Sequence, residues 1–184
     1  DDPTADCTEK EAMSELELCE AIEIGARSVN LHSDLILLGE MGIGNSTISS
    51  ALAASVFGGH VERWVGAGTG SDQKGQAHKA AIIELGIKKH GLRNNLSALL
   101  AFGGREQAAI CGAILAAREA SIPVLLDGFI CTAAAAPLFG TSKNSLDHCL
   151  FGHLSAEPGH RLLLEAMGKS AILDLNMRLG EGTG

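Results

Sequence analysis

Ile122-Pro123-Val124-Leu125-Leu126-Asp127 is the stretch from which the fold is read, because it carries the clearest strand signal in the chain. An apolar run closes on an acid, and Pro123 sits near its start, where a missing N–H does least harm to a ladder. Asp34-Leu35-Ile36-Leu37-Leu38, ending at Gly39, repeats the signal. It is too short for a helix and continuous enough for a strand buried on both faces. Working outward, residues 61–65, 149–153 and 171–175 read as further strands. Between them lie helical segments: 14–29, opened by the capping-box spacing of Ser14 and Glu17, a helix capped by Ser46 or Thr47 and running to Phe57, then 71–89, 105–120, 129–138 and 158–167. Strands alternating with helices of this length imply βαβ units. The expected class is α/β: a mostly parallel sheet with helices on both faces, a Rossmann-like three-layer architecture in a single domain over 1–184, with residues 1–12 frayed.

Composition narrows the function. The formal charge is −8, aromatics make up 3% and tyrosine is absent, which argues against a nucleic-acid partner: backbone binding wants excess Lys and Arg, and strand binding wants stacking rings. No apolar run reaches the roughly 20 residues a membrane span needs, and no basic-then-apolar leader opens the chain, so a soluble, cytoplasmic protein is expected. Cys7, Cys19, Cys111, Cys131 and Cys149 are scattered without a C-x-x-C pair and odd in number, as suits reduced thiols. A first residue Asp1 and a last residue Gly184 within Gly-Glu-Gly-Thr-Gly read as a piece of a longer chain.

In parallel sheets, ligands bind beyond the carboxyl ends of the strands, and three loops there stand out. In Gly39-Glu40-Met41-Gly42-Ile43-Gly44-Asn45, Gly42 and Gly44 let backbone approach a ligand, and the helix start that follows offers N–H groups to an anion. No Gly-Lys-Ser or Gly-Lys-Thr closes it and no full Gly-x-Gly-x-x-Gly occurs, which disfavours an NTPase or ordinary dinucleotide binder. In Val65-Gly66-Ala67-Gly68-Thr69-Gly70-Ser71-Asp72, successive N–H groups can form an anion nest, with Lys79 adding a point charge. In Arg178-Leu179-Gly180-Glu181-Gly182-Thr183-Gly184, one acid is set between glycines that let a substrate ring come close. Taken singly, the first loop reads equally as a ligand-free turn, whereas Lys79 reads more readily as a solvated helix lysine and Glu181 as a turn glutamate. His148, His153 and His160 lie near Glu157, but their spacing does not place them on one helical face, and no metal site is expected. Cys131 reads as a small buried hydrophobe.

Together the loops, with residues 123–129, His153-Leu154-Ser155-Ala156-Glu157-Pro158-Gly159 and Met177 to Gly184, resemble the CobT family of nicotinate-nucleotide:dimethylbenzimidazole phosphoribosyltransferases over roughly residues 12–184. The resemblance implies transfer of ribose phosphate from nicotinate mononucleotide to 5,6-dimethylbenzimidazole, giving α-ribazole 5′-phosphate and nicotinate in assembly of the lower cobalamin loop. It implies no cofactor, and a homodimer. The family's base falls on Glu181. Phosphate and ribose contacts fall on Glu40, Gly42, Gly44, Asn45, Gly66, Gly68, Thr69, Gly70, Lys79 and Ser155, with Met177 and Leu179 near the benzimidazole. The family's chain is longer at both ends. The alternative is a non-catalytic nucleotide- or phosphate-binding module, or an inactive fragment of that enzyme.

Overall fold

The computed structural model describes residues 3–68 and 70–177. Its described elements are α1 (Glu15–Ser28), β1 (Ile36–Leu38), α2 (Asn45–Phe57), α3 (Gln73–His90), α4 (Ser97–Phe102), α5 (Arg105–Glu119), β2 (Val124–Leu126), α6 (Phe129–Thr141), β3 (Cys149–Ser155), α7 (Pro158–Met167) and β4 (Ala171–Met177), with single 3₁₀ turns at Val61–Arg63 and Lys143–Leu146. All four strands are parallel, in the order β1-β2-β3-β4. The α/β class and parallel sheet expected from the sequence are what the chain forms.

Each crossover steps the same way along the sheet, and right-handed crossovers then bring their helices to a common face. Burial follows suit. Val124, Leu126, Cys149 and Phe151 are buried toward the helices, whereas Leu37, Leu150 and Ile172 on the other face are exposed. α6 is the hub: Ala133, Ala134, Ala135 and Ala136 are fully buried, and the helix packs on α2, α5 and α7. Methyl-sized side chains let that many helices approach one axis. Pro137 removes one N–H from α6.

α1 is started by the expected capping box. Ser14 N–H donates to Glu17 Oε2 at 2.8 Å, and Glu17 N–H donates to Ser14 Oγ at 3.3 Å; such a cap contributes about 1 kcal/mol. Residues 3–12, part of the segment expected to fray, are tied down. Ala5 N–H donates to Ala12 O, His90 Nε2 lies 2.7 Å from Cys7 O, and Arg93 pairs with Glu11 at 2.8 Å.

Two further local expectations are corrected, and one helix is added. In place of the strand expected over 61–65, Val61–Arg63 form a 3₁₀ turn, and the buried positions are Val61, Trp64 and Val65, a spacing of three and four that fits a helical turn and not a period of two. The cap of α2 is neither Ser46 nor Thr47 but Gly44, whose φ of 87° lies in the left-handed region, where a Cβ is disfavoured. α4, six residues long, had no sequence signal.

α1 and α5 cross in close contact. A Cβ on Gly25 would collide with the carbonyl oxygen of Ala109, and one on Gly112 with that of Ile22. Backbone cannot move aside as a flexible side chain does. Gly112→Val is therefore expected to lower stability by about 3 kcal/mol, measured by urea unfolding; a loss below about 1 kcal/mol would show that the two helices separate at little cost.

Candidate active site

β1, β2 and β3 deliver their following residues to one end of the sheet. Glu40 follows β1, Asp127 follows β2, and Ser155 ends β3 immediately before Ala156 and Glu157 open α7. Asp127 N–H donates to Leu38 O at 3.0 Å and His153 N–H to Asp127 O at 3.3 Å, so the ladder carries this order past the strand ends.

The first loop is organised by its own acid. The Asn45 side-chain amide donates to the Glu40 carboxylate, and Asn45 itself is buried at the start of α2. Glu40 is pushed above the ordinary carboxyl value, first by burial, against which Asn45 acts, and further by Glu106 and Asp127. A Cβ on Gly42 would strike the Asn45 amide, so this glycine is required for close approach. Met41 and Ile43 turn their apolar side chains to solvent.

The second loop is held from across the chain. Gly68 N–H donates to Glu157 Oε1 at 2.8 Å. Glu157 Oε2 is buried, has no hydrogen-bond partner among the described residues, and lies against Gly66. Lys79 Nζ donates to Ser46 Oγ at 3.2 Å, and both stand beside Gly68. Gly70 has a φ of 131°. Residues 66–68, the start of α2, Lys79 of α3 and the start of α7 therefore converge on one place, though the sequence separates Gly68 from Glu157 by 89 residues.

On the third side, Ser155 pairs in register with Met177 of β4 after a bulge that follows His153. Ser155 N–H donates to His160 Nδ1 at 3.0 Å, and Ser155 Oγ lies 3.0 Å from the same atom. His160 Nε2 stands 3.1 Å from Thr132 Oγ1. A groove of about 590 Å³ opens beyond Ser155 and Glu157, lined also by Arg63, Arg161 and Asn176. Asp127 Oδ1 faces His153 Nδ1 at 3.4 Å. Cys131 is buried, with its thiol pushed up to about 12 by burial and then by Glu40 and Asp127, so it stays protonated and inert near neutral pH.

Of the residues singled out from sequence, Glu40 and Asn45 bond to each other, Gly68 and Lys79 adjoin, Gly66 meets Glu157, and Ser155 and Met177 pair across the sheet edge. Thr69, Leu179 and Glu181 lie outside the described residues. Asp127, Glu157, His160 and the two arginines were not singled out as site residues. Asp127 and Glu157 carried a signal, each being an acid just past a strand end; His160 carried none.

Among known proteins, the family model described as Phosphoribosyltransferase matches residues 1–184. The nicotinate-nucleotide–dimethylbenzimidazole phosphoribosyltransferase of Rhodobacter capsulatus is 54% identical over 184 residues, covering 100% of this chain and 55% of the relative. That of Mesorhizobium japonicum is 52% identical over 186 residues, again covering 100% of this chain and 55% of the relative. The crystal structure of CobT from Thermus thermophilus superposes with a TM-score of 0.87 at 38% identity, over 98% of this chain and 56% of that one. The chain thus spans a little over half the length of the relatives it matches.

Burial, and secondarily His153, bring His160 down to about 3 from the ordinary 6.5. An unfolded chain takes up this proton near 6.5 while the folded chain stays neutral until about 3, so stability falls as pH drops through that window. Urea unfolding from about pH 7 to about pH 4 is expected to show this group removing on the order of 1 kcal/mol per pH unit, and His160→Asn to flatten that part of the slope. An identical slope in the variant would assign the acid sensitivity to other groups.

Proposed function

We infer the function from one premise: this chain belongs to the phosphoribosyltransferase family. On that premise it carries the phosphoribosyl-binding part of an enzyme that transfers ribose phosphate from nicotinate mononucleotide to 5,6-dimethylbenzimidazole, releasing nicotinate and forming α-ribazole 5′-phosphate for the lower loop of cobalamin. The observation that carries this reading is the convergence of Gly68, Lys79, Ser46 and Glu157 at the carboxyl end of a parallel sheet. Backbone N–H groups, a helix start and one ammonium gathered there suit a phosphate monoester.

In the reaction, the bond from C1′ to the pyridinium nitrogen breaks and its electron pair leaves with nicotinate, whose ring nitrogen becomes neutral. No strong general acid is needed for such a leaving group. A benzimidazole nitrogen forms the new bond to C1′ from the opposite face, while the proton on the other nitrogen passes to a carboxylate. We assign that carboxylate to Glu181, from the family resemblance; a base within hydrogen-bond reach contributes about 10²- to 10⁴-fold. Gly42, Gly44, Gly66, Gly68, Thr69, Gly70, Lys79 and Ser155 serve the phosphate, Glu40 and Asn45 the ribose. Met177 and Leu179 serve the aromatic ring, for which exposed Met41 and Ile43 offer further apolar surface.

Supporting a cytoplasmic setting, all five cysteines are free, and among the described residues no helix is long and apolar enough to cross a membrane. We further propose a homodimer, for which the exposed Leu37, Leu150 and Ile172 provide apolar surface. A second reading, a nucleotide-binding module without catalysis, rests on the same convergence of Gly68, Lys79 and Ser46, which suits a phosphate whether or not transfer follows.

Two measurements separate these readings. Glu181→Gln, in the full-length protein carrying this segment, is expected to cut kcat for nicotinate release by about 10³-fold with little change in mononucleotide affinity; undiminished turnover would remove Glu181 from the mechanism. Lys79→Met is expected to weaken nicotinate mononucleotide binding about tenfold by calorimetry, the worth of one charge-assisted hydrogen bond. Equal binding by wild type and variant would take Lys79 out of the phosphate site.

A further inference from the structure

His160 is fully buried in the first turn of α7, and both its ring nitrogens are engaged. Ser155 N–H points at Nδ1 from 3.0 Å, and a backbone N–H can only donate, so Nδ1 must accept. The proton of the neutral ring is then on Nε2, directed at Thr132 Oγ1 3.1 Å away. Thr132 is itself fully buried on α6. The tautomer is therefore set by two partners on two other elements.

Ser155 needs this support because the β3–β4 ladder fails there. Register runs from His153↔Leu173 to Ser155↔Met177, four residues on β4 against two on β3, and Asn176 within the bulge has a φ of 52°. The next ladder bond is Ala156 N–H to Met177 O at 3.0 Å. The Ser155 amide instead turns to the imidazole.

We propose that His160 is a positioning residue for phosphoribosyl binding: locked by Thr132, its Nδ1 holds the Ser155 amide and lends the Ser155 hydroxyl, 3.0 Å away, an acceptor that the hydroxyl can leave when a ligand arrives. The inference rests on the proposed role of Ser155 as a phosphate or ribose contact. Its physical content is an avoided cost. A buried acceptor abandoned by its donor is penalised, but when Ser155 swings its proton to a phosphate oxygen, Nδ1 still keeps the amide N–H. The hydroxyl is thus free to donate without stranding a polar atom, and the backbone that carries it stays fixed.

Two near-isosteres divide the ring's duties. Asparagine at 160 sets an amide oxygen close to the Nδ1 position and can accept from Ser155 but does not reach Thr132. Glutamine reaches the Nε2 position and keeps Thr132 while leaving Ser155 unsupported. With nicotinate mononucleotide as the probe in calorimetry on this chain, His160→Gln is expected to weaken binding about tenfold or more and His160→Asn by less than about threefold. In the full-length protein carrying this segment, the Gln loss is expected in KM and not in kcat. Thermal melts on both variants report the purely structural contribution; affinity losses that simply track the loss of stability in both would overturn the proposal. So would a Gln variant that binds like wild type. Long-range ¹⁵N–¹H spectra of the unmutated chain are expected to show Nδ1 unprotonated and Nε2 protonated, and the opposite tautomer sinks the idea without any variant having to fold. If the wild-type chain does not bind the mononucleotide at all, the functional reading fails and takes this inference with it. If wild type binds and Ser155→Ala binds equally well, only this inference is lost.

Discussion

One row of side chains, Leu38, Leu126, Phe151 and Ala171, lies in register across all four strands, and the position of every residue of the candidate site depends on it. Leu126 and Phe151 are buried against the helices, while the alternate row, with Leu37 and Leu150, is exposed. A slip of one residue in any strand would exchange the two rows. It would also move the residue that follows: Asp127 leaves β2 one step after Leu126, and Glu40 leaves β1 two steps after Leu38. The pattern that selects the core therefore also fixes which acid emerges at the carboxyl edge.

A parallel sheet with sequential strand order places its connections at the same two edges, so residues far apart in sequence meet without a long loop having to reach. Gly68 and Glu157 illustrate this. Their bond joins the turn before α3 to the turn before α7, and it gives the glycine loop an internal anion. The carboxylate already takes one N–H of the nest, and its second oxygen is buried without a partner among the described residues. Phosphate binding at this loop must therefore use the remaining donors, Lys79 and the N–H groups not held by Glu157, or displace Glu157 from Gly68.

The long-range plan was legible because hydrophobic period and length separate strands from helices: Val124, Leu125 and Leu126 form an apolar run too short to be helical, and Ser14 with Glu17 announces a helix start. Local turns were less so. Val61, Trp64 and Val65 are β-branched or aromatic, the types strands favour, and only their burial shows a helical spacing. Gly44 displaced the hydroxyls expected to cap α2, because a left-handed N-cap is a property of the loop's path. The site was legible as loops and not as contacts. Glycines and acids past strand ends mark where a ligand can lie, but His160 is one histidine among seven, and nothing in its neighbours announces that Ser155 and Thr132 converge on it. That information resides in a bulge and in the burial of α6, both products of tertiary packing.

The chemistry proposed for the site divides it by charge. Donors collect around Gly68, Lys79 and Ser155, whereas acids follow β1 and β2, where burial first, and then the charges of Glu106 and Asp127, push Glu40 above the ordinary carboxyl value. A substrate with a phosphate at one end and a ribose that gains positive charge during transfer has the same polarity. If that substrate set its phosphate among the donors, its C1′ would face the acids, and a cation developing there would be stabilised by their charge. Charge on the ribose is greatest in the transition state, so on the proposed reading such acids would favour that state over the bound substrate.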